Sequence, residues 1–434
     1  DNADKATYNS SKITLSNQGN TIVGVALGLG VVTGEGGNVS GAAAAAANVN
    51  TVTNNFTAAV KNANIGTGAS SYENNGDLKE AALRVEAASD TRMVSVAAGA
   101  AADAKSQGVS IAVAGSGAFQ SITNTTKASV ENSSISTDNL AIKGTTESSL
   151  VSVAGQVSVE TSQKGVSAGL AWAENNMHNT TGAYAKGISL SGINGAETNL
   201  AVEAENKAKT WAVAVGASVS LGNGVAEGAY TENSGKNDTE AVVEKYGTKK
   251  NTISNAKAIT VTAKDSSVQK SVAGSVGVAA GSNAMASIGG AVAYNNIGNS
   301  AMDKQSVKAR LNDAVITTAN NATLQTKATN EADFLGLALG GAVRVGNEKF
   351  GVTAEGSVAV TSDYMNTVAG MDYVEIDKNG GSKSSTVEVE ATSTSDITSS
   401  ADALSVSVGD GIKISGNAAV SKVRSDADTT TEIK

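Results

Sequence analysis

The residues with the strongest claim to chemistry are Trp172, Glu174 and His178, and His178 is the sole histidine of the chain. On a strand, residues two apart point to one face, so Trp172 and Glu174 share a side, with His178 expected in the following bend. An aromatic ring beside a carboxylate suits polysaccharide chemistry, in which rings stack on sugars while carboxylates move protons. That chemistry needs a cluster, and no counterpart of these residues is evident in the other copies of the surrounding pattern. One histidine does not build a Ser/His/Asp triad, and no Gly-rich loop ends in Gly-Lys-Ser/Thr to cradle a phosphate. The Gly-rich, Asp-containing nonapeptide of calcium β-rolls is missing despite Gly380-Gly381, and Asp and Asn in bends serve turn chemistry. The expectation is a non-enzymatic chain with no catalytic, cofactor-binding or metal site, and no cofactor.

The composition says what kind of frame carries these residues. The 434 residues include no Cys, no Pro and 47 Gly, and 3% are aromatic. At average usage of about 5%, roughly twenty prolines are missing. Pro removes a ladder N–H and is excluded from central strands, so its absence points to sheet nearly everywhere. The apolar 40% is Ala and Val rather than Leu and Phe, which suits sheets closer together than the usual ~10 Å. A formal net charge of −9, with 32 basic and 41 acidic residues and no Lys/Arg run, argues against nucleic acid or anionic membrane surfaces as partners. Without Cys there are no disulfides or thiolate-bound metals. The longest apolar stretch, Ile22 to Val32, is shorter than the about 20 residues of a membrane helix and contains Gly24, Gly28 and Gly30. No signal peptide opens the chain, so an export signal is expected upstream.

Self-similarity organises the rest. An alternating segment begins at Ile13, Leu83, Leu140, Leu200, Ile259, Leu324 and Val387, at spacings of 70, 57, 60, 59, 65 and 63 residues. Apolar side chains occupy every second position, which predicts a strand with one dry and one wet face. Arg84, Glu86, Lys143, Glu203, Lys327, Glu388 and Glu390 then point outward. Two Gly/Ala/Val strands follow in each copy, such as Val94 to Gly99 with Gly108 to Gly115, and Ser271 to Val278 with Ala286 to Ala293. An Asn-bearing bend comes next, at Val52-Thr53-Asn54, Ile122-Thr123-Asn124, Met177-His178-Asn179 and Ile297-Gly298-Asn299, where Asn is expected to fix the turn or stack in a ladder.

A unit near 60 residues exceeds a solenoid coil of about 20–25, so each repeat reads as two or three coils. Some twenty coils at about 4.8 Å give a rod on the order of 90–100 Å long. The Gly/Ala strands are taken as successive parallel coils rather than projecting hairpins. The opening Asn2-Ala3-Asp4-Lys5-Ala6-Thr7 and the closing Ser425-Asp426-Ala427-Asp428-Thr429-Thr430 lie in nearly the same phase. Residues 1–434 are therefore expected to be a single continuous segment of a longer array.

The unit of alternating strand, Val-x-Val-Ala-Gly, Gly-Val-x-x-Ala-Gly-Ala-x-Ala and apolar-x-Asn resembles large bacterial exoproteins. These are the filamentous-haemagglutinin-like and leukotoxin-like proteins of two-partner secretion, and autotransporter passengers. The resemblance implies a right-handed parallel β-helix of about seven degenerate repeats, passed through an outer-membrane transporter during secretion. It also implies an extracellular or cell-surface location and host-cell or bacterial surface receptors as partners. The expected function is the structural and adhesive shaft of a filamentous adhesin, with lateral self-association into filaments allowed. A leukotoxin-type segment acting on host cells is the alternative, followed by a polysaccharide-active β-helix; the 14-residue repeats or heptads of a trimeric adhesin are not seen. The family's N-terminal secretion domain and barrel are not in this chain.

Overall fold

A chain without Pro and rich in Val, Ala and Gly satisfies its backbone N–H and C=O groups most readily in sheet ladders. The computed structural model is accordingly almost all strand, a parallel β-solenoid. It describes residues 6–9, 13–15, 20–34, 39–66, 83–105, 108–377 and 385–434. Gly380-Gly381 and residues 2–5 lie outside them.

Two broad sheets face each other. The first contains Thr21–Gly34, Leu83–Lys105, Asn139–Glu160, Thr198–Ser220 and Ser385–Val408, with the later parts of Asn251–Ala280 and Gln305–Val345. The second contains Val39–Lys61, Val109–Glu131, Val166–Lys186, Gly224–Glu244, Ala286–Ile297, Phe350–Ile376 and Ile412–Ile433. A narrow third sheet, built from Ala63–Gly66, Ser134–Ser136, Ser189–Ser191 and equivalent stretches, closes one end.

The register corrects the expected coil. Ile13 pairs with Leu83, Leu83 with Leu140, Leu140 with Leu200, Leu200 with Ile259, Ile259 with Leu324, and Leu324 with Val387. All seven alternating segments stack directly, so hydrogen-bonded neighbours are one whole repeat apart. One repeat is one coil, not two or three. A strand of 23 residues spans about 75 Å, while the six steps from Ile13 to Val387 climb only about 29 Å. The stack is a flat blade instead of a slender rod. The Gly/Ala strands are neither successive coils nor a hydrogen-bonded hairpin. Val94 to Gly99 and Gly108 to Gly115 belong to one coil and face each other, each paired to the coils on either side.

Small residues are needed because the sheets nearly touch. A Cβ added to Gly99 would collide with the carbonyl oxygen of Gly115 opposite, and one on Gly144 with that of Gly182. Between them sits a column of alanines that includes Ala97, Ala118, Ala154, Ala173 and Ala212. The blade is thicker at the closed end, where Leu83, Val85, Leu140, Ile142, Leu200 and their equivalents form the largest apolar cluster, and locally around Met93, Ile122, Leu150 and Met177 and around Phe334 and Met365.

Polar columns run through the interior between the apolar ones. Asn54 Nδ2 donates to Asn124 Oδ1 at 2.9 Å, Asn124 to Ser148 at 2.9 Å, Ser148 to Asn179 at 3.3 Å, and Asn179 to Asn206 at 3.1 Å. A second column joins Asn175 to Asn233 at 2.9 Å and Asn233 to Asn295 at 3.0 Å. The expected Asn ladder is therefore present, but Asn54, Asn124 and Asn179 lie inside strands and not at bends. Of the expected set only Asn299 sits in a loop, after Ile297. The bends use other residues, with left-handed φ of 51° at Asn62, 45° at Asn132, 53° at Asn194 and 55° at Asn255. Asn tolerates that region better than branched residues do.

Among the described residues, Asp265 and Glu227 are buried in the same interior with no cation in hydrogen-bond contact. Asp265 accepts hydrogen bonds from Asn206 and Ser267 at 2.6 Å and from Gln305 at 2.9 Å, and burial pushes its carboxyl up to about 6. Glu227, hydrogen-bonded by Ser218 and Gln156, is pushed by burial to about 7.

Two outcomes follow from this packing. Gly144→Val should lower stability by about 1–3 kcal/mol through overpacking. Gly356→Ala, whose Cβ meets nothing within 4 Å, should stay within about 0.5 kcal/mol of the parent. Urea titration of both variants checks the contrast, and equal midpoints contradict the close approach. The second outcome concerns pH. A carboxyl whose folded pKa exceeds its unfolded one binds more protons when folded, so stability falls as pH rises between those values. Glu227→Gln should melt higher than the parent at pH 8, and the gap should close by pH 4.5; a gap independent of pH contradicts the burial argument.

Candidate functional site

Alternate residues of a strand share a face, so Val166–Lys186 presents Trp172, Glu174 and His178 on the outside of the second sheet. Parallel stacking then sets like positions of adjacent coils side by side. Trp172 is in register with Tyr230 and Glu174 with Glu232. On the other side Glu174 is in register with Phe119, and beyond Glu232 the same row continues to Tyr294. The Trp-x-Glu pair thus has a counterpart, Tyr230-x-Glu232, contrary to the expectation that none recurs. The chemical difference between Trp and Tyr hides it until the register is known.

These side chains touch. The Phe119 and Trp172 rings meet edge to face at 5.7 Å between centroids, and Trp172 and Tyr230 at 5.1 Å. Trp172 remains 38% exposed, which leaves ring surface for a ligand. Tyr230 Oη donates to a Glu232 carboxylate oxygen at 2.6 Å. Burial and that hydrogen bond push the Tyr230 hydroxyl up, so it stays protonated and donating. Burial, then the neighbouring negative charge of Glu232, raises the Glu174 carboxyl, against a lowering hydrogen bond from Trp172. The result is an aromatic ridge across three coils with two carboxylates along one flank. Such a ridge can stack on the C–H face of a sugar ring while the carboxylates accept its hydroxyl hydrogens.

His178 does not belong to this group. It lies within the strand, not in a bend, six residues beyond Trp172 and therefore about 20 Å away. Its register partner is Lys236. Burial and the Lys236 charge lower its pKa, which holds the imidazole neutral at pH 7. Lys236 pairs with Asp303 at 2.5 Å and Asp238 at 3.6 Å, and Lys304 pairs with Asp426 at 2.7 Å and Asp428 at 2.8 Å. These pairs fasten the loop after Ile297 to the sheet and leave Met302 at its tip 98% exposed.

The outward charges expected on the alternating segments occupy the outer face of the first sheet and pair largely between coils. Lys143 meets Glu203 at 3.9 Å and Lys327 meets Glu390 at 2.9 Å, whereas Arg84 pairs with Glu86 of its own strand at 2.7 Å. Gln325 donates to Glu388 at 2.9 Å. Among the described residues no group of three or more His, Cys, Asp or Glu is placed to hold a metal ion, and no helix is long and apolar enough to cross a membrane. Comparison with protein-family models, with curated proteins and with solved structures finds no match for the chain.

The charge coupling at the ridge is measurable. Glu232→Gln should bring the Glu174 carboxyl part of the way back to the ordinary range, because burial remains, and a carboxyl-carbon NMR titration reads the change. An unaltered Glu174 titration contradicts the proximity of the two carboxylates.

Proposed function

We propose that this chain is the structural and adhesive shaft of a secreted or cell-surface bacterial filamentous adhesin, a right-handed parallel β-helix of about seven degenerate repeats. The supporting observation is the unbroken register from Ile13 to Val387, in which each coil is both template and cap for the next. Such a stack transmits position along its axis and gives a surface feature a fixed place, which is what a shaft does. The resemblance to filamentous-haemagglutinin-like and leukotoxin-like exoproteins fits this reading, as does a cysteine-free, small-residue chain able to pass an outer-membrane transporter unfolded.

The adhesive contact is assigned to the ridge of Phe119, Trp172 and Tyr230, with Glu174 and Glu232 beside it. Its chemistry suits a neutral or amine-bearing glycan on a host or bacterial surface. Stacking of a sugar on an exposed aromatic contributes on the order of 1 kcal/mol per ring. Trp172→Ala with Tyr230→Ala should then weaken glycan-array or whole-cell binding about tenfold or more, with the circular dichroism spectrum unchanged. Undiminished binding by a folded double variant would remove the ridge from the account. Release of reducing sugar from a bound polysaccharide would replace the adhesin by an enzyme.

A further inference from the structure

The first sheet changes polarity along its own strands. From Leu83 to Asp103 the odd-numbered residues face inward, and at the closed end these are Leu83, Val85 and Ala87. Past Met93 the inward residues become Ser95, Ala97, Gly99 and finally Asp103, while Val94 and Val96 point out. The strand continues without a break in alternation, so the sequence pattern changes phase and the backbone does not. The same reversal occurs in neighbouring coils, where Val153 and Val157 lie outside Ser152, Ser158 and Glu160.

The consequence is a flat apolar outer face on the thin half of the blade. Val215 is 52% exposed, Val276 49% and Leu339 46%. Five outward positions per strand and the five coil steps from Thr21–Gly34 to Gln305–Val345 give about 33 Å by 24 Å, on the order of 800 Å², with Lys270 at its border and Thr398, Ser400 and Asp402 on the next coil. Apolar patches on monomers run to about 300–600 Å², and a stable interface takes about 800 Å² from each partner. Two glycines add relief. Gly155 and Gly274 flank Val215 in register, and a Cβ on either would meet nothing within 4 Å. Neither has the left-handed φ that favours glycine. Glycine inside a strand weakens it, and no described residue crowds these positions, whereas a close approach from outside would call for glycine there.

A row of charges borders this face. Following the register it reads Arg92, Ser149, Lys209, Val268, Asp333 and Asp396. One end is basic and the other acidic. A second copy turned about a two-fold axis parallel to the strands keeps thin half against thin half and reverses the row, which sets Arg92 opposite the partner's Asp396 and brings Lys209 within one coil step, about 4.8 Å, of the partner's Asp333. The same turn lets the ridge of Val215 and Leu339 meet hollows of the other copy, as a self-complementary interface requires. A lipid phase fits less well, because Lys270 and Asp402 stand on the same face and a charge is costly in hydrocarbon.

We propose that the apolar outer face of the first sheet is the contact between two copies of this chain, packed face to face with opposed stacking directions. The proposal is independent of the adhesive reading. Sedimentation velocity of the full chain between 1 and 100 μM should show a monomer–dimer equilibrium (concentrations on the order of those that resolve micromolar association). Val215→Lys should weaken it about tenfold or more. Lys209→Glu should weaken it too, and adding Asp333→Lys should restore it, which a loss of folding cannot imitate. A parent chain that is monomeric throughout, or a dimer indifferent to both Val215→Lys and the charge exchange, overturns the proposal. So does a chain that stays monomeric and floats with phosphatidylcholine vesicles, which would assign the face to lipid.

Discussion

Two sheets that approach to backbone contact leave room for little more than a methyl group between them, and the other features of this chain depend on that spacing. Gly99 against Gly115 and Gly144 against Gly182 show the approach at two places along the blade. Most Phe, Trp and Tyr are thereby driven outward, Phe334 in its own small cluster being an exception, and Ala, Gly and Ser fill much of the rest. A thin interior also offers little apolar burial per residue. The compensation lies in the hydrogen bonds, since every coil is joined to its neighbours along two long strands and the interior Asn, Ser and Thr side chains link coil to coil. Leaving one of those buried groups unpaired costs more than its bond contributes, so the columns fix register as well as adding stability.

Much of this was legible in the sequence, and the exceptions have physical causes. The missing Pro, the small apolar residues and the seven alternating segments lead to a parallel solenoid, and all seven segments stack where the repeat places them. A period of about 60 residues does not specify how many turns it contains, so dividing it by the size of ordinary coils gives the wrong coil length. Asn favours turns in general, which points Asn54, Asn124 and Asn179 to bends, yet an amide can also pair with its own kind through the core. The true bends at Asn62, Asn132 and Asn194 carry the same residue type, so residue type alone does not separate the two roles.

The surface was less legible than the fold. Trp172 and Glu174 could be singled out, but their partners Tyr230 and Glu232 lie 58 residues on and differ in type, so only the register unites them. His178 is close to them in sequence, but the extended backbone carries it away. The polarity reversal past Met93 was present in the sequence as a phase change in the alternation. Read locally, Val94 to Gly99 looks like another strand with its valines inside; only a continuous strand from Leu83 shows that they are outside.

The claim on which the rest depends is that one repeat makes one coil. The chain has no Cys, so Glu86→Cys and Lys327→Cys can carry two nitroxide labels without further change. Glu86 connects through Lys143, Glu203 and Thr262 to Lys327, four coil steps in register. Pulsed electron spin resonance should give a separation of about 19 Å, broadened by the label arms. Two or three coils per repeat would place the labels about 38 or 58 Å apart, and either of those distances would contradict the flat blade and its surfaces.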